Sequence, residues 1–146
     1  IAATLADIPG AGQLLDCAFV VYSPEAKQRC LAVSPETLEQ FNLTSEEVAR
    51  EMAQGALSSS RANVSVSNTG VTDDTDKEIP AGTQCFAWAF EIGATDEKKI
   101  FSETQRFSGD RVSIREASAN YALQRIPHYF SLLNSGVHAG PDAPAP

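Results

Sequence analysis

Basic charge, histidine, tryptophan and cysteine are all scarce in this chain of 146 residues. Its 11 Lys and Arg face 19 Asp and Glu, leaving a net charge of −8. That balance excludes a broad basic surface of the kind nucleic acids require, though not a local anion site built from one or two arginines. The three cysteines, Cys17, Cys30 and Cys85, fit no metal-ligand spacing, and their odd number leaves at least one unpaired within the chain. Cys17 and Cys85 lie in apolar runs and read as small core residues in a reducing cytoplasm. The two histidines, His128 and His138, have no partner at ligand spacing and read as structural or solvated. No apolar run is long enough to span a membrane, and no signal peptide is visible. These shortages leave no metal centre in view.

Helical and strand periods alternate along what remains. One domain is the natural count, large enough to bury a sizeable core. Residues 1–8 read as the end of a helix, broken by Pro9-Gly10-Ala11-Gly12. Residues 14–22 carry a nearly continuous apolar run, as a strand buried on both faces would. Ser23-Pro24-Glu25 and Ser34-Pro35-Glu36 each place an N-cap serine, a proline at the first helical position and an acid in the first turn. Thr44 and Glu47 form a capping box, opening a helix to about Ser59 with a stripe of Val48, Met52, Ala56 and Leu57. Val64–Asn68 reads as a strand leading into a polar loop over 69–82. Thr83–Ile92 and Lys98–Phe107 read as a hairpin joined by Gly93–Glu97. Phe86 and Trp88, alternating with Ala87 and Ala89, predict a half-buried strand.

Asp110 caps a last helix bearing Val112, Ile114, Ala117, Tyr121 and Leu123, which Pro127 should kink or end. From Asn134 the composition turns to Gly, Pro and Ala, the signature of a disordered tail. The expected architecture is a three-layer α/β/α domain over residues 1–133 with a mixed sheet, and a tail over 134–146.

Tyr22 and Lys27 stand where an apolar run turns into a helix, five positions apart. Both can face one pocket. A lysine that loses solvation there has a lowered pKa and can act as a base near neutral pH, with the phenol to orient or donate. The plain alternative is a solvated lysine on a first helical turn. Ser23 and Lys27 are also at helical i,i+4 spacing, but Ser23 before Pro24 is better explained as a cap. Arg111 follows Gly109-Asp110 at a helix start, a natural anion site. It reads equally as an exposed cation paired with Asp110 or Glu116.

The order Tyr22…Lys27, Thr69-Gly70, Gly109-Asp110-Arg111 resembles the C-terminal domain of the competence/damage-inducible CinA family, which includes nicotinamide mononucleotide deamidases. The likeness covers roughly residues 1–133. It extends to Ile8-Pro9-Gly10-Ala11, Ser45–Ala53, Gly82-Thr83…Phe86-Ala87-Trp88-Ala89 and Ile114-Arg115. It implies hydrolysis of the carboxamide of nicotinamide mononucleotide to nicotinate mononucleotide and ammonia, with no cofactor. In that scheme Tyr22 and Lys27 are catalytic, backbone groups near Thr69 and Gly70 hold the oxyanion, and Arg111 holds the phosphate. Expected with it are a small nucleotide substrate, a cytoplasmic setting and a homo-oligomer, without nucleic-acid or membrane partners.

Three departures from the family pattern support the alternative of an inactive relative that serves as a binding or partner module. The family's presumed nucleophilic serine, in a Glu-Ser-Cys-Thr-Gly-Gly segment, belongs before the helix that Ile1-Ala2-Ala3 matches; either the protein lacks it or it precedes Ile1. Pro24 replaces the usual Asn. The family's Gly-rich stretch after Thr-Gly is here Val71-Thr72-Asp73-Asp74-Thr75-Asp76. Its acids would repel a phosphate by roughly 1–4 kcal/mol per close pair. They form a solvated acidic loop or, alternatively, a cation site.

Overall fold

In the strand Thr83–Glu91 every residue from Gln84 to Phe90 is buried. Large and small side chains alternate along it: Phe86, Trp88 and Phe90 point one way, Cys85, Ala87 and Ala89 the other. The alternation is one of size rather than polarity. It corrects the half-buried reading, because a helix covers each face. The computed structural model describes residues 1–93 and 97–135, without the side chains of Asn134 and Ser135. Its strands are β1 (Val64–Gly70), β2 (Thr83–Glu91) and β3 (Lys98–Arg106), and its helices α1 (Ala2–Ala6), α2 (Pro24–Leu31), α3 (Pro35–Gln40), α4 (Glu46–Ser58) and α5 (Arg111–Ser135).

The sheet has the order β1-β2-β3, with both pairings antiparallel. Helix α4 lies on the small-residue face, where Ala49, Ala53 and Leu57 meet Cys85, Ala87 and Ala89. Alanines on both sides let the backbones approach closely. Ser65 and Ser67 of β1 use that closeness, donating to the Ala53 and Ala49 carbonyls at 2.6 Å each. The opposite edge of α4, Val48 and Met52, packs against Leu31 and Val33. The helix therefore carries two apolar stripes, one for the sheet and one for α2.

Helices on both sides of a sheet match the expected three layers. Among the described residues the sheet is antiparallel rather than mixed, and the strand expected at 14–22 is not part of it. Residues 15–22 carry no regular structure, and Leu14, Val20 and Tyr22 are more than four-fifths exposed. A strand needs a ladder partner for its backbone groups, and among the described residues this segment has none. Cys17 shares that exposure, so only Cys85 of the two is a core residue.

Ser23 and Ser34 cap α2 and α3, accepting from the Ala26 and Thr37 N–H groups. The cap of α4 is Ser45, one residue later than the box that sequence predicts; its Oγ accepts from Val48 N. Glu46, the first residue of α4, accepts from Thr104 of β3 at 2.8 Å. Glu91 pairs with Lys98, as a hairpin requires. Residues 94–96 of its connection, and the expected tail from Gly136 onward, lie outside the described residues.

Helix α5 packs its aromatic face on Phe86, Trp88, Phe90 and Phe101, while Val112 is exposed. Of the expected kink or end at Pro127, the end does not occur: the helix runs past the proline to Ser135. Contacts on both sides of Pro127 explain the continuity. Glu103 of β3 accepts from the Tyr121 hydroxyl before the proline, from Arg125 beside it and from the Tyr129 hydroxyl after it. Trp88 Nε1 donates to Ala122 O at 2.8 Å. Burial opposes the Glu103 charge, yet the hydrogen bonds from both tyrosines and Arg125 outweigh it and hold the carboxyl below its usual range. Burial, then the Glu103 contact, push Tyr121 up to about 12.

Two stability predictions follow from these contacts. A Cβ on Gly55 would lie 1.8 Å from the Leu31 carbonyl oxygen. Gly55→Ala gains about 1 kcal/mol of helix propensity, but overpacking costs about 1–3 kcal/mol. Urea unfolding should show net destabilisation; an unchanged or raised midpoint would contradict the close packing of α2 on α4. Glu103→Gln should cost about 2 kcal/mol at pH 7. A carboxyl whose pKa is depressed on folding contributes stability above its unfolded value, and loses it as pH falls through the folded value. The gap between wild type and Glu103→Gln should therefore be full above the ordinary value of 4.5 and close in more acid solution. A gap independent of pH would contradict the ionic network.

Candidate functional site

Lys27 is only 4% exposed, the one buried lysine among the described residues. It sits in the first turn of α2, started by the Ser23 cap and Pro24. Its Nζ turns back and donates to the carbonyl oxygens of Val21 and Tyr22, at 3.0 Å each. No carboxylate among the described residues forms an ion pair with it. A buried amine whose described partners are neutral carbonyls pays for its charge in lost hydration. Burial accordingly lowers its pKa from the ordinary lysine value. That combination makes Lys27 a candidate functional residue.

Tyr22 meets Lys27 through its backbone. The Tyr22 residue is 83% exposed, so its phenol stands in solvent, and the ammonium bonds to its carbonyl instead. The same two contacts fix the exit of the apolar 14–22 segment to α2. Ser23 Oγ is occupied by Ala26 N at 3.1 Å, in keeping with a cap.

Thr69 and Gly70 end β1. Thr69 Oγ1 donates to Leu43 O at 2.8 Å, tying the strand end to the connection before α4. Gln84 crosses Gly70 so closely that a Cβ there would lie 2.3 Å from its Cδ. The Gln84 amide donates to Val71 O at 2.9 Å, which shapes the first residue of the acidic loop. No hydrogen bond or ion pair among the described residues joins Lys27 to Thr69, Gly70 or Arg111.

Arg111 starts α5 after Gly109, whose φ of +126° suits only glycine. Its Nη2 pairs with Asp73 Oδ2 at 2.6 Å, not with Asp110 or Glu116 as the sequence suggests. Asp110 is engaged as the helix cap, accepting from Ser113 N at 2.8 Å and Ser113 Oγ at 2.7 Å. The Ser113 N–H contact is the main cause that lowers the Asp110 pKa. A cleft of about 430 Å³ adjoins this corner, its lining including Thr72, Ala81, Arg106, Ser108 and Gly109. Arg106 Nε donates to Ala81 O at 3.0 Å, placing a second cation there.

The acidic loop is an ordered element. Asp73 also accepts from the Thr75 hydroxyl at 2.7 Å, which with the Thr75 N–H and Arg111 lowers its pKa. Asp76 accepts from Asn42 Nδ2 at 2.9 Å and from the Glu78 and Ile79 N–H groups. Gly82, at φ +82°, closes the loop where a Cβ would sit 1.9 Å from Phe107 O. Among the described residues no cluster of His, Cys, Asp or Glu is placed to hold a metal ion. His128 packs edge-on against Tyr129, and His138 lies outside the described residues. Sequence reasoning names the acids and Arg111 separately; their 38-residue separation hides the pairing. It misses Arg106, whose only signal is its place at a strand end.

The CinA C-terminal domain family model matches residues 1–130. The nicotinamide-nucleotide amidohydrolase PncC of Enterobacter agglomerans is 40% identical over 126 residues, covering 85% of this chain and 74% of that protein. A relative from Caldicellulosiruptor saccharolyticus, named for competence-damage induction, is 40% identical over 121 residues; the match spans 82% of this chain but 28% of that longer protein. Among solved structures, a competence/damage-inducible protein from Agrobacterium tumefaciens superposes with a TM-score of 0.79 at 32% identity, covering 87% of this chain and 76% of that one. The helix-flanked sheet, the residues at its strand ends and these matches together place the chain in the CinA C-terminal domain family.

Proposed function

We propose that this domain takes part in hydrolysis of the carboxamide of a pyridine nucleotide, with Lys27 as the base. The observation that carries the reading is the buried Lys27 amine, held by two carbonyl oxygens with no described carboxylate partner. The amidohydrolase name of relatives about 40% identical supplies the substrate class.

In this reading the neutral Lys27 Nζ takes the proton of an attacking hydroxyl, whose oxygen bonds to the carboxamide carbon. The proton then passes to the amide nitrogen as the C–N bond breaks and ammonia leaves; water next attacks the resulting ester, its proton passing through Lys27 to the departing nucleophile oxygen as the carboxylic acid is released. A serine hydroxyl from a segment like the family's Glu-Ser-Cys-Thr-Gly-Gly is the nucleophile. Tyr22 holds Lys27 through its carbonyl, and its exposed phenol is free to reach the substrate. Backbone N–H groups near Thr69 and Gly70 face the developing oxyanion. Arg111, with Arg106 nearby, receives the phosphate.

A specific observation favours a second reading, a binding module without activity: Arg111 is already engaged by Asp73 of the acidic loop. The Lys27→Met variant of the complete natural protein separates the two. Ammonia release from nicotinamide mononucleotide should fall at least about 100-fold. Stability should stay within about 1 kcal/mol, because relief of the buried charge offsets two lost hydrogen bonds. Retained activity would overturn the base assignment; absence of activity in the wild type would favour the binding module.

A further inference from the structure

We propose that Asp73 is an internal competitor for the anion site: it occupies Arg111 until a phosphate monoester displaces it. The inference rests on the reading of Arg111 as the phosphate anchor.

Two features of this corner attract anions, the Arg111 guanidinium and the donors at the start of α5. Both are satisfied by the chain's own carboxylates. Asp73 Oδ2 takes Arg111 Nη2 at 2.6 Å, and Asp110 Oδ1 takes Ser113 N at 2.8 Å. The Asp73 carboxylate is aimed before it meets the arginine. Its other oxygen is fixed by the Thr75 hydroxyl at 2.7 Å, and Asp76 anchors the same loop to Asn42 at 2.9 Å. A Gly-rich loop would leave the guanidinium free; this loop supplies a counter-charge at the same place.

The block is exchangeable rather than permanent. Arg111 and Asp73 keep 65% and 45% of their side-chain surface in solvent, and pairs so exposed are weak and screened by salt. A phosphate dianion, with more charge and three acceptor oxygens, displaces a single carboxylate once its concentration suffices. The adjoining cleft lined by Thr72, Arg106, Ser108 and Gly109 gives it room. The consequence is a domain that responds only to high ligand concentration.

Calorimetric titration of nicotinamide mononucleotide into the wild type, Asp73→Asn, Asp74→Asn and Arg111→Gln tests this. Asp74 is exposed and makes no ion pair among the described residues, so its variant changes charge equally without freeing Arg111. Asp73→Asn should tighten binding by roughly three- to tenfold, the scale of one exposed pair plus one removed repulsion. Asp74→Asn should gain less, and nicotinamide riboside, which lacks the phosphate, should show no gain. Asp73→Asn binding no tighter than wild type, or an equal gain in Asp74→Asn, would overturn the proposal. If Arg111→Gln weakens binding while Asp73→Asn has no effect, only the competitor role fails. If Arg111→Gln binds like wild type, the anchor reading itself fails.

Discussion

Burial of β2 on both faces is the constraint on which the rest of this structure depends. A strand covered on two sides must choose what each side admits. Here the small side chains Cys85, Ala87 and Ala89 draw α4 against the sheet, and Phe86, Trp88 and Phe90 hold α5 away from it with rings. The close approach lets serine hydroxyls of β1 bond directly to α4 carbonyls, and it lets α4 carry α2 on its outer edge through Gly55. The wider layer needs polar anchoring within it, supplied by Glu103 and the Trp88 indole. The positions of Lys27 and of Arg111 both descend from that asymmetry, one through α4 and α2, the other through β3 and α5.

Much of this was legible in the chain. Serine-proline-glutamate twice marks a helix start, because a hydroxyl cap, a residue without N–H and an acid each suit a first turn. The hairpin follows from two strand-like runs with a glycine between. What local pattern could not supply was partnership. Residues 14–22 have the composition of a buried strand, but a strand exists only when another backbone pairs with it, and local apolar content does not report that. Pro127 reads as a kink or an end for the same reason: local chemistry penalises it, and tertiary contacts on both its sides keep the helix going. The large–small alternation of β2 reads as a half-buried strand, because sequence does not report that a helix covers each face.

The candidate site divides along the same line. Lys27 was legible as a residue at the exit of an apolar run, but sequence alone left it open between a desolvated base and a solvated lysine on a first turn; the fold buries it. Its partners were not legible, because they are carbonyls and carry no sequence signal. Arg111 was legible as a cation at a helix start, while its partner lay 38 residues away in a loop recognised only as acidic. Long-range polar pairs need the fold to bring them together, and a single sequence offers no measure of that distance.

The chemistry proposed for the domain turns on whether Lys27 sheds its proton within reach of neutral pH. NMR titration of its side chain in the folded protein measures this directly. A midpoint clearly below the ordinary lysine value of 10.5 is the expected result, because burial without a described counter-charge favours the neutral amine. A midpoint at or above that value would mean a solvated or ion-paired lysine, and would remove the base from the mechanism.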